Sequence, residues 1–173
     1  MGSMSRQIDL NFWSGKKVLV TGHTGFKGSW LTFWLEKMGA TVCGVSLDPN
    51  THPSLWDELK PHLKAADFRG DIRGGSWKEF VDNFRPEIVF HLAAQPLVRA
   101  SYREPLSTFA TNIMGTAHLL DALRGESCAR VAVMVGITLG QELRVRPLPA
   151  KKYVLPRHKD LVEDAHAGGL PIV

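Results

Sequence analysis

The feature that most constrains the fold is a glycine-rich turn at residues 22–28, which reads G-H-T-G-F-K-G. A short apolar run at Lys16–Thr21 precedes it, and such a run is typical of a buried parallel strand. A segment with aromatic residues at helical spacing follows it over Phe26–Met38, and Gly39 provides a stop. A strand, a tight turn and a helix in this order begin a βαβ unit, so the chain has to build a parallel sheet.

The rest of the chain repeats the alternation of strands and helices. Helices are predicted from a cap at Ser76 to about Phe84, and over Pro105–Leu123, whose apolar positions are Leu106, Phe109, Ile113, Leu119 and Leu120. Further strands are predicted at Ala40–Leu47, within Ala66–Ile72, at Glu87–Ala93 and at Arg130–Thr138. Residues 48–64, with three prolines, are predicted to be irregular. This pattern predicts an α/β fold, a Rossmann-like doubly wound parallel sheet.

Three segments divide the sequence. Residues 1–13 are interpreted as an N-terminal lead that starts with a cloning remnant, MGSM. Residues 14–138 carry the ordered pattern and form one domain. Residues 139–173 show no periodic pattern and are set apart as a tail.

Composition and charge exclude several classes of protein. No apolar run approaches the roughly 20 residues that span a bilayer, so we expect no membrane segment. The net charge of +4 is not gathered in one block, which argues against a nucleic-acid partner. The histidines and cysteines lack metal-ligand spacing, so we expect no metal site. Two isolated thiols, Cys43 and Cys128, favour a reducing compartment, and we expect a cytoplasmic protein.

The glycine turn has the chemistry of a dinucleotide site. The start of a helix offers unpaired N–H groups and a positive dipole end to a pyrophosphate. Gly22 permits the tight turn, Gly25 lets the phosphates approach the backbone, and Gly28 lets the helix pack close to the strand. A glycine-rich connection without a ligand is the alternative, but the strand-turn-helix context favours a ligand.

Two aspartates follow later strands where the adenosine half of a dinucleotide lies in this fold. Asp48 ends the second strand, where an acid accepts hydrogen bonds from ribose hydroxyls and favours NAD over NADP. Asp71 follows the third strand and can accept the adenine amino group, while Ile72 can pack on the ring. Each aspartate also fits an ordinary turn role, so both interpretations stay open.

Four segments resemble the CDP-glucose 4,6-dehydratase group of the extended short-chain dehydrogenase/reductase family. They are GHTGFKGSWL at 22–31, GDIR at 70–73, PEIVFHLAAQPLVRASYREP at 86–105 and TNIMGTAHLLDA at 111–122. The resemblance covers about residues 14–138, which correspond to the N-terminal part of such an enzyme. The fold is therefore expected to be incomplete relative to the family.

The resemblance implies a lyase reaction on a nucleotide sugar. NAD takes a hydride from C4 of the CDP-glucose hexose, water leaves from C5 and C6, and the hydride returns to C6. This product class places the family in lipopolysaccharide O-antigen synthesis. The resemblance also implies that Asn112 braces the active site and that the helix at 105–123 forms the interface of a homodimer. By position it assigns the pyrophosphate to Gly22, Thr24, Gly25, Phe26 and Gly28, the nicotinamide to Leu92, Ala93 and Ala94, and the sugar to Gln95.

The match to the family ends at Thr138. In the family a catalytic Thr-Ser-Asp-Lys segment stands here, and a Tyr-x-x-x-Lys pair follows. This chain keeps Thr138, the expected catalytic threonine, and then reads LGQELR. Codons for LGQELRV exist that read Ser-Asp-Lys-Asn-Tyr-Glu one base later. We therefore hypothesise a frameshift near Leu139, which sequencing of the coding DNA against its source genome would test.

Three functions compete on these observations. The first is a NAD-dependent dehydratase, or the part of one that binds its cofactor. The second is a dinucleotide-binding module or partner-binding protein without catalysis, whose contact surface would be the tail at 139–173. The third is a basic nucleic-acid-associated protein. The tail shows little amphipathic periodicity, which favours the first.

Overall fold

The structure is a computed structural model, and it describes residues 11–124 together with the backbone of Val131–Met134. Its centre is a five-stranded sheet with the order β3-β2-β1-β4-β5, in which every neighbouring pair is parallel. The strands are β1 (Lys17–Thr21), β2 (Thr41–Ser46), β3 (Ala66–Arg69), β4 (Ile88–His91) and β5 (Val131–Met134). The predicted fold class is confirmed.

The helices lie in the connections between strands. They are α1 (Phe26–Lys37), α2 (Leu55–Leu59), α3 (Lys78–Phe84), α4 (Val98–Arg103), α5 (Pro105–Phe109) and α6 (Gly115–Ala122). A 3₁₀ turn covers Lys60–His62, and a π-helical segment, Ala110–Met114, joins α5 to α6.

Two cores lie on opposite faces of the sheet, because successive residues of a strand point to opposite sides. On one face, Leu19 and Val89 pack with Trp77, which precedes α3, and with Val81 of α3 and Leu119 of α6. On the other face, the core is formed by Val18, Val20, Leu35, Ala40, Val42 and Ile88. Phe12 and Trp13 pack on this second core.

The buried side of α1 is formed mainly by small residues. The aromatic residues that indicated the helix, Phe26, Trp30 and Trp34, are exposed. The buried positions are the small residues Gly28, Ser29 and Thr32, together with Leu35. Small side chains bring the helix axis close to the sheet, and the bulky rings then lie on the far side.

The long predicted helix is also different in detail. The helical path from Pro105 to Ala122 is present, but it is interrupted by the π-helical segment, and α4 precedes it. Leu119 is buried, whereas Leu106, Ile113 and Leu120 are exposed, so these three do not serve the core of the described chain. The apolar spacing therefore indicated a helix but not which of these residues are buried.

Two other local predictions were wrong. The stretch at 48–64 holds α2, whose N-cap Ser54 accepts a hydrogen bond from the Asp57 amide at 3.1 Å. This short helix buries Trp56. The next helix, α3, begins at Lys78 without a side-chain cap, so Ser76 is not its N-cap.

Candidate functional site

The glycine turn leaves β1 and crosses the carboxyl edge of the sheet. Gly22 has a φ of 73°, and its amide donates to the Val45 carbonyl of β2 at 2.8 Å. A Cβ at Gly22 would lie 2.7 Å from the amide nitrogen of Ala93, which follows β4. The position therefore requires glycine for both its conformation and its close contact.

The start of α1 packs directly on this turn. A Cβ at Gly28 would lie 2.2 Å from the Gly22 carbonyl oxygen and 2.7 Å from Cα of His23. Gly25 is the N-cap, is exposed and has no side chain that could cap the helix. The first turn of α1 contains no acidic residue. The amides at this helix start are therefore presented to an anion at the sheet edge.

Thr24 and Phe26 occupy different places in the turn. The Thr24 side chain is buried, and its hydroxyl lies 2.8 Å from Ser46 Oγ and donates to the Leu47 carbonyl at 2.9 Å. This hydroxyl therefore ties the turn to the end of β2. Phe26 is 71% exposed, so its ring lies at the rim of the turn.

The predicted ribose and adenine residues lie at the ends of β2 and β3. The carboxylate of Asp48 is 85% exposed, and Arg69 Nη1 lies 3.6 Å from its Oδ1. The Asp71 carboxylate is held by the guanidinium of Arg73, whose Nε lies 2.8 Å from Oδ2. This side-chain hydrogen bond, followed by the bond from the Arg73 amide and by the charge of Arg73, holds the pKa of Asp71 below its ordinary value.

The placement of Ile72 contradicts one expectation. Its side chain is buried in the core, where a Cβ at Gly115 would lie 2.7 Å from Ile72 Cγ2. The side chain fills space beneath α6, so it does not offer a face to an adenine ring. Only the main chain of Ile72 is left for such a contact.

A buried hydrogen-bonded chain supports the end of β4. His91 Nδ1 lies 2.6 Å from Thr21 Oγ1, and His91 Nε2 lies 2.9 Å from Thr116 Oγ1. Thr21 Oγ1 also accepts from the Ala93 amide at 3.2 Å. Burial lowers the pKa of His91 to about 4, so its ring is neutral at pH 7. The imidazole thereby links β1, β4 and α6 without adding a charge.

The half-buried residues Leu92, Ala93 and Ala94 follow this chain, and Gln95 ends the segment. The side chain of Asn112 holds the main chain of Gln95: Oδ1 accepts from its amide at 2.8 Å, and Nδ2 donates to its carbonyl at 3.2 Å. Asn112 lies in the π-helical segment, a type of helix distortion that is frequent at functional sites. Through these two bonds, the Asn112 side chain braces the main chain after β4 at Gln95.

The side chain of Gln95 bonds to its own surroundings. Its Nε2 donates to Thr108 Oγ1 at 2.9 Å, and its Oε1 accepts from the Leu97 amide at 2.6 Å. In this conformation Gln95 shapes the loop after β4, and a contact with a sugar would require these bonds to exchange.

A cluster that the sequence prediction missed lies beside the glycine turn. His23 is fully buried, and its Nε2 lies 2.9 Å from Asp67 Oδ1. Its ring meets Trp56 edge-on at 4.6 Å between centroids. Burial lowers the pKa of His23 despite the neighbouring Asp67. The polar alternation of Asp67 and Arg69 in β3 was the signal that could have indicated this cluster.

Some expected features fall outside this geometry. Thr138 and the tail at 139–173 lie outside the described residues, as does Cys128. Across residues 11–124, no group of three or more histidine, cysteine or acidic side chains could hold a metal ion. Within the same part of the chain, no helix is long and apolar enough to cross a bilayer.

Comparison with known proteins agrees with this geometry. The sequence model of a family described as GDP-mannose 4,6 dehydratase matches residues 19–135. The chain is 50% identical over 132 residues to CDP-glucose 4,6-dehydratase of Salmonella typhimurium. This alignment covers 76% of the chain and 36% of that enzyme. It is 31% identical over 121 residues to dTDP-L-rhamnose 4-epimerase of Burkholderia thailandensis, covering 67% of this chain and 32% of the epimerase. The chain therefore spans about a third of the length of these relatives.

Solved structures share the fold. An epimerase from Methanothermobacter thermautotrophicus superposes with a TM-score of 0.61 at 30% identity, covering 72% of this chain and 36% of that one. UDP-glucose 4-epimerase of Thermus thermophilus, solved in complex with NAD, superposes with a TM-score of 0.54 at 32% identity. That alignment covers 62% of this chain and 33% of the epimerase.

Proposed function

Because the chain belongs to the GDP-mannose 4,6-dehydratase family, we propose that residues 14–138 bind NAD as the cofactor domain of a CDP-glucose 4,6-dehydratase. One observation carries the proposal: an uncapped helix start lies over a glycine turn that leaves no room for a Cβ at Gly28. The 50% identity to a CDP-glucose 4,6-dehydratase supports the choice of reaction. The T. thermophilus epimerase, solved with NAD, supports the choice of cofactor.

Different residues of the turn have different roles in binding the pyrophosphate. The amides that follow Gly25 donate to the phosphates, and the absence of a side chain at Gly25 lets them approach. Gly22 and Gly28 hold the turn against β4 and α1, while Thr24 fixes it to β2. Phe26, at the rim, covers the phosphates from solvent.

The ends of the strands hold the rest of the cofactor. Asp48 accepts from the adenosine ribose hydroxyls, and Asp71 accepts from the adenine amino group beside the amide of Ile72. Leu92, Ala93 and Ala94 line the nicotinamide side, where small residues leave space for the ring. When bound, NAD accepts a hydride from the sugar and returns it.

The substrate side of the proposal is a nucleotide sugar, CDP-glucose. Gln95 faces the sugar once its loop bonds exchange, and Asn112 keeps the loop in place. Thr138 is the proposed catalytic threonine that bonds the substrate. We expect NAD binding weaker than in full-length relatives and no measurable turnover from these 173 residues alone. Steady formation of a 4-keto-6-deoxy sugar nucleotide would overturn that expectation.

We also propose a cytoplasmic homodimer. The exposed apolar residues on α5, the π-helical segment and α6 support it, because such side chains in one surface commonly mark an interface. They include Leu106, Ile113 and Leu120, which are 83%, 50% and 44% exposed. The buried free thiol of Cys43 is compatible with a reducing compartment.

Calorimetric titration with NAD tests the cofactor proposal. Gly25→Val places a branched side chain at the phosphate approach. The backbone there is extended, with φ at −71° and ψ at 164°, and the added Cβ would lie 3.3 Å from the Gly22 carbonyl oxygen, which would have to shift by a few tenths of an ångström. Gly75→Val is the matched control, because a Cβ there meets nothing within 4 Å. We expect Gly25→Val to weaken NAD binding at least about tenfold, or about 1.4 kcal/mol, and Gly75→Val to leave it unchanged. Wild-type protein that does not bind NAD at millimolar concentration would reject the proposal.

A further inference from the structure

Arg69, at the end of β3, is held from several sides. Its Nε and Nη2 bond the two carboxylate oxygens of Asp67, each at 2.9 Å. Its Nη1 donates to the Leu47 carbonyl at 3.1 Å. The guanidinium carbon lies 5.6 Å from the centre of the Trp56 ring. A long side chain with this many partners has a fixed direction.

That direction is toward the proposed ribose corner. The Leu47 carbonyl accepts from both Arg69 and Thr24, so one acceptor joins β3 to the glycine turn. The next residue is Asp48, whose Oδ1 lies 3.6 Å from Arg69 Nη1. The positive charge therefore sits beside the carboxylate that was expected to select NAD.

The charged groups around Arg69 balance one another. Asp67 pairs with Arg69 and also lies 3.3 Å from Lys60 Nζ. The third neighbour of Asp67, His23, is buried with a lowered pKa. Two cations thus face two carboxylates, Asp48 and Asp67, and the local charge is near zero with His23 neutral.

We propose that Arg69 sets the cofactor specificity of this site by compensating Asp48, so that the site admits the 2′-phosphate of NADP as well as NAD. The inference rests on the proposed cofactor function. An isolated acid at the ribose excludes a 2′-phosphate by repulsion, whereas an arginine beside it accommodates one. Arg69 supplies the second feature at the same corner, because its fixed guanidinium holds Nη1 3.6 Å from Oδ1 of Asp48, the residue proposed to bind the ribose.

Titrations of NAD and NADP against the same variants test this inference. Arg69→Met removes the charge and keeps an unbranched side chain, and Arg69→Lys keeps the charge without the fork. Lys64→Met is the matched control, because Lys64 is an exposed cation outside the cluster. We expect Arg69→Met to raise the ratio of the NADP to the NAD dissociation constant about tenfold, the size of one charge interaction near the surface. Arg69→Lys should raise it by less, and Lys64→Met should leave it within twofold.

A second variant covers the case in which Arg69→Met does not fold. Asp48 is exposed, so Asp48→Asn should fold normally, and it removes the negative charge beside Arg69 Nη1 while the pair with Asp67 remains. We then expect NADP to bind more tightly than NAD. Equal binding of NAD and NADP by Asp48→Asn would overturn the role of Arg69. An unchanged ratio of the two dissociation constants in a folded Arg69→Met protein that still binds NAD would overturn it as well. Failure of wild-type protein to bind NAD would instead reject the proposed function itself.

Discussion

Replacing Gly28 with alanine perturbs the contact between α1 and the glycine turn. The added Cβ would lie 2.2 Å from the Gly22 carbonyl oxygen and 2.7 Å from His23 Cα, where real Cβ contacts stay above 3.0 Å. Both obstacles are backbone atoms, so neither a rotamer change nor a flexible tip can relieve the clash. Such overpacking costs about 1–3 kcal/mol, and we expect the upper part of that range. Alanine returns about 1 kcal/mol through its helix propensity, which leaves a net loss of about 1–2 kcal/mol.

Thermal unfolding measures this loss. For a chain of this size, 1–2 kcal/mol corresponds to a decrease in Tm of about 5 °C. Gly75→Ala is the control, since nothing lies within 4 Å of its added Cβ, and we expect its Tm to stay near that of the parent. If Gly28→Ala unfolds at the parent temperature or above it, the close packing of α1 on the turn is wrong.

Three other substitutions test separate contacts. Gly44→Ala places a Cβ 2.3 Å from His23 Cγ, so urea unfolding should show a free energy of unfolding lower by about 1–3 kcal/mol. His23→Ala in the same chain should relieve this loss, and an equal loss with and without His23→Ala would contradict the contact. The pKa of His91 is about 4 when folded and about 6.5 when unfolded, so stability falls by up to about 3 kcal/mol as the pH drops from 6.5 to 4. His91→Gln should remove that part of the slope in urea titrations at pH 7 and 4.5, and an unchanged slope would assign it elsewhere. Asn112→Ala loses two bonds to Gln95 and should cost about 1–2 kcal/mol, with Asn112→Asp intermediate because it keeps only the acceptor; identical unfolding of the two variants would argue against the brace.

The order of the elements could be predicted from sequence because it depends on local patterns. The runs around Val18 and Val89 are buried on both sides, so they are apolar throughout, and the glycines mark where the chain turns. The buried faces of α1 and of the 105–122 helices could not be predicted in the same way. Helical spacing shows that apolar residues share a face, but here the sheet is contacted by Gly28, Ser29 and Thr32, and the aromatic face points outward.

In the candidate site, too, features of the local sequence could be predicted, whereas contacts between distant segments could not. The glycine turn was predictable because its three glycines stand at fixed spacing between a strand and a helix, a local pattern in the sequence. The role of Arg69 was not, since its partner Leu47 meets it only after β2 and β3 pair. The side chain of Ile72 was misplaced for a related reason, because its burial depends on Gly115, 43 positions along the sequence.

The central claim is that the glycine turn holds the pyrophosphate of NAD, and backbone amide shifts test it most directly. An NMR titration of the 173-residue chain with NAD reads each amide separately. The account predicts saturable shifts concentrated at residues 22–28, with smaller ones at Asp48, at 71–72 and at 92–95. Binding that shifts amides elsewhere and leaves residues 22–28 unmoved would contradict it.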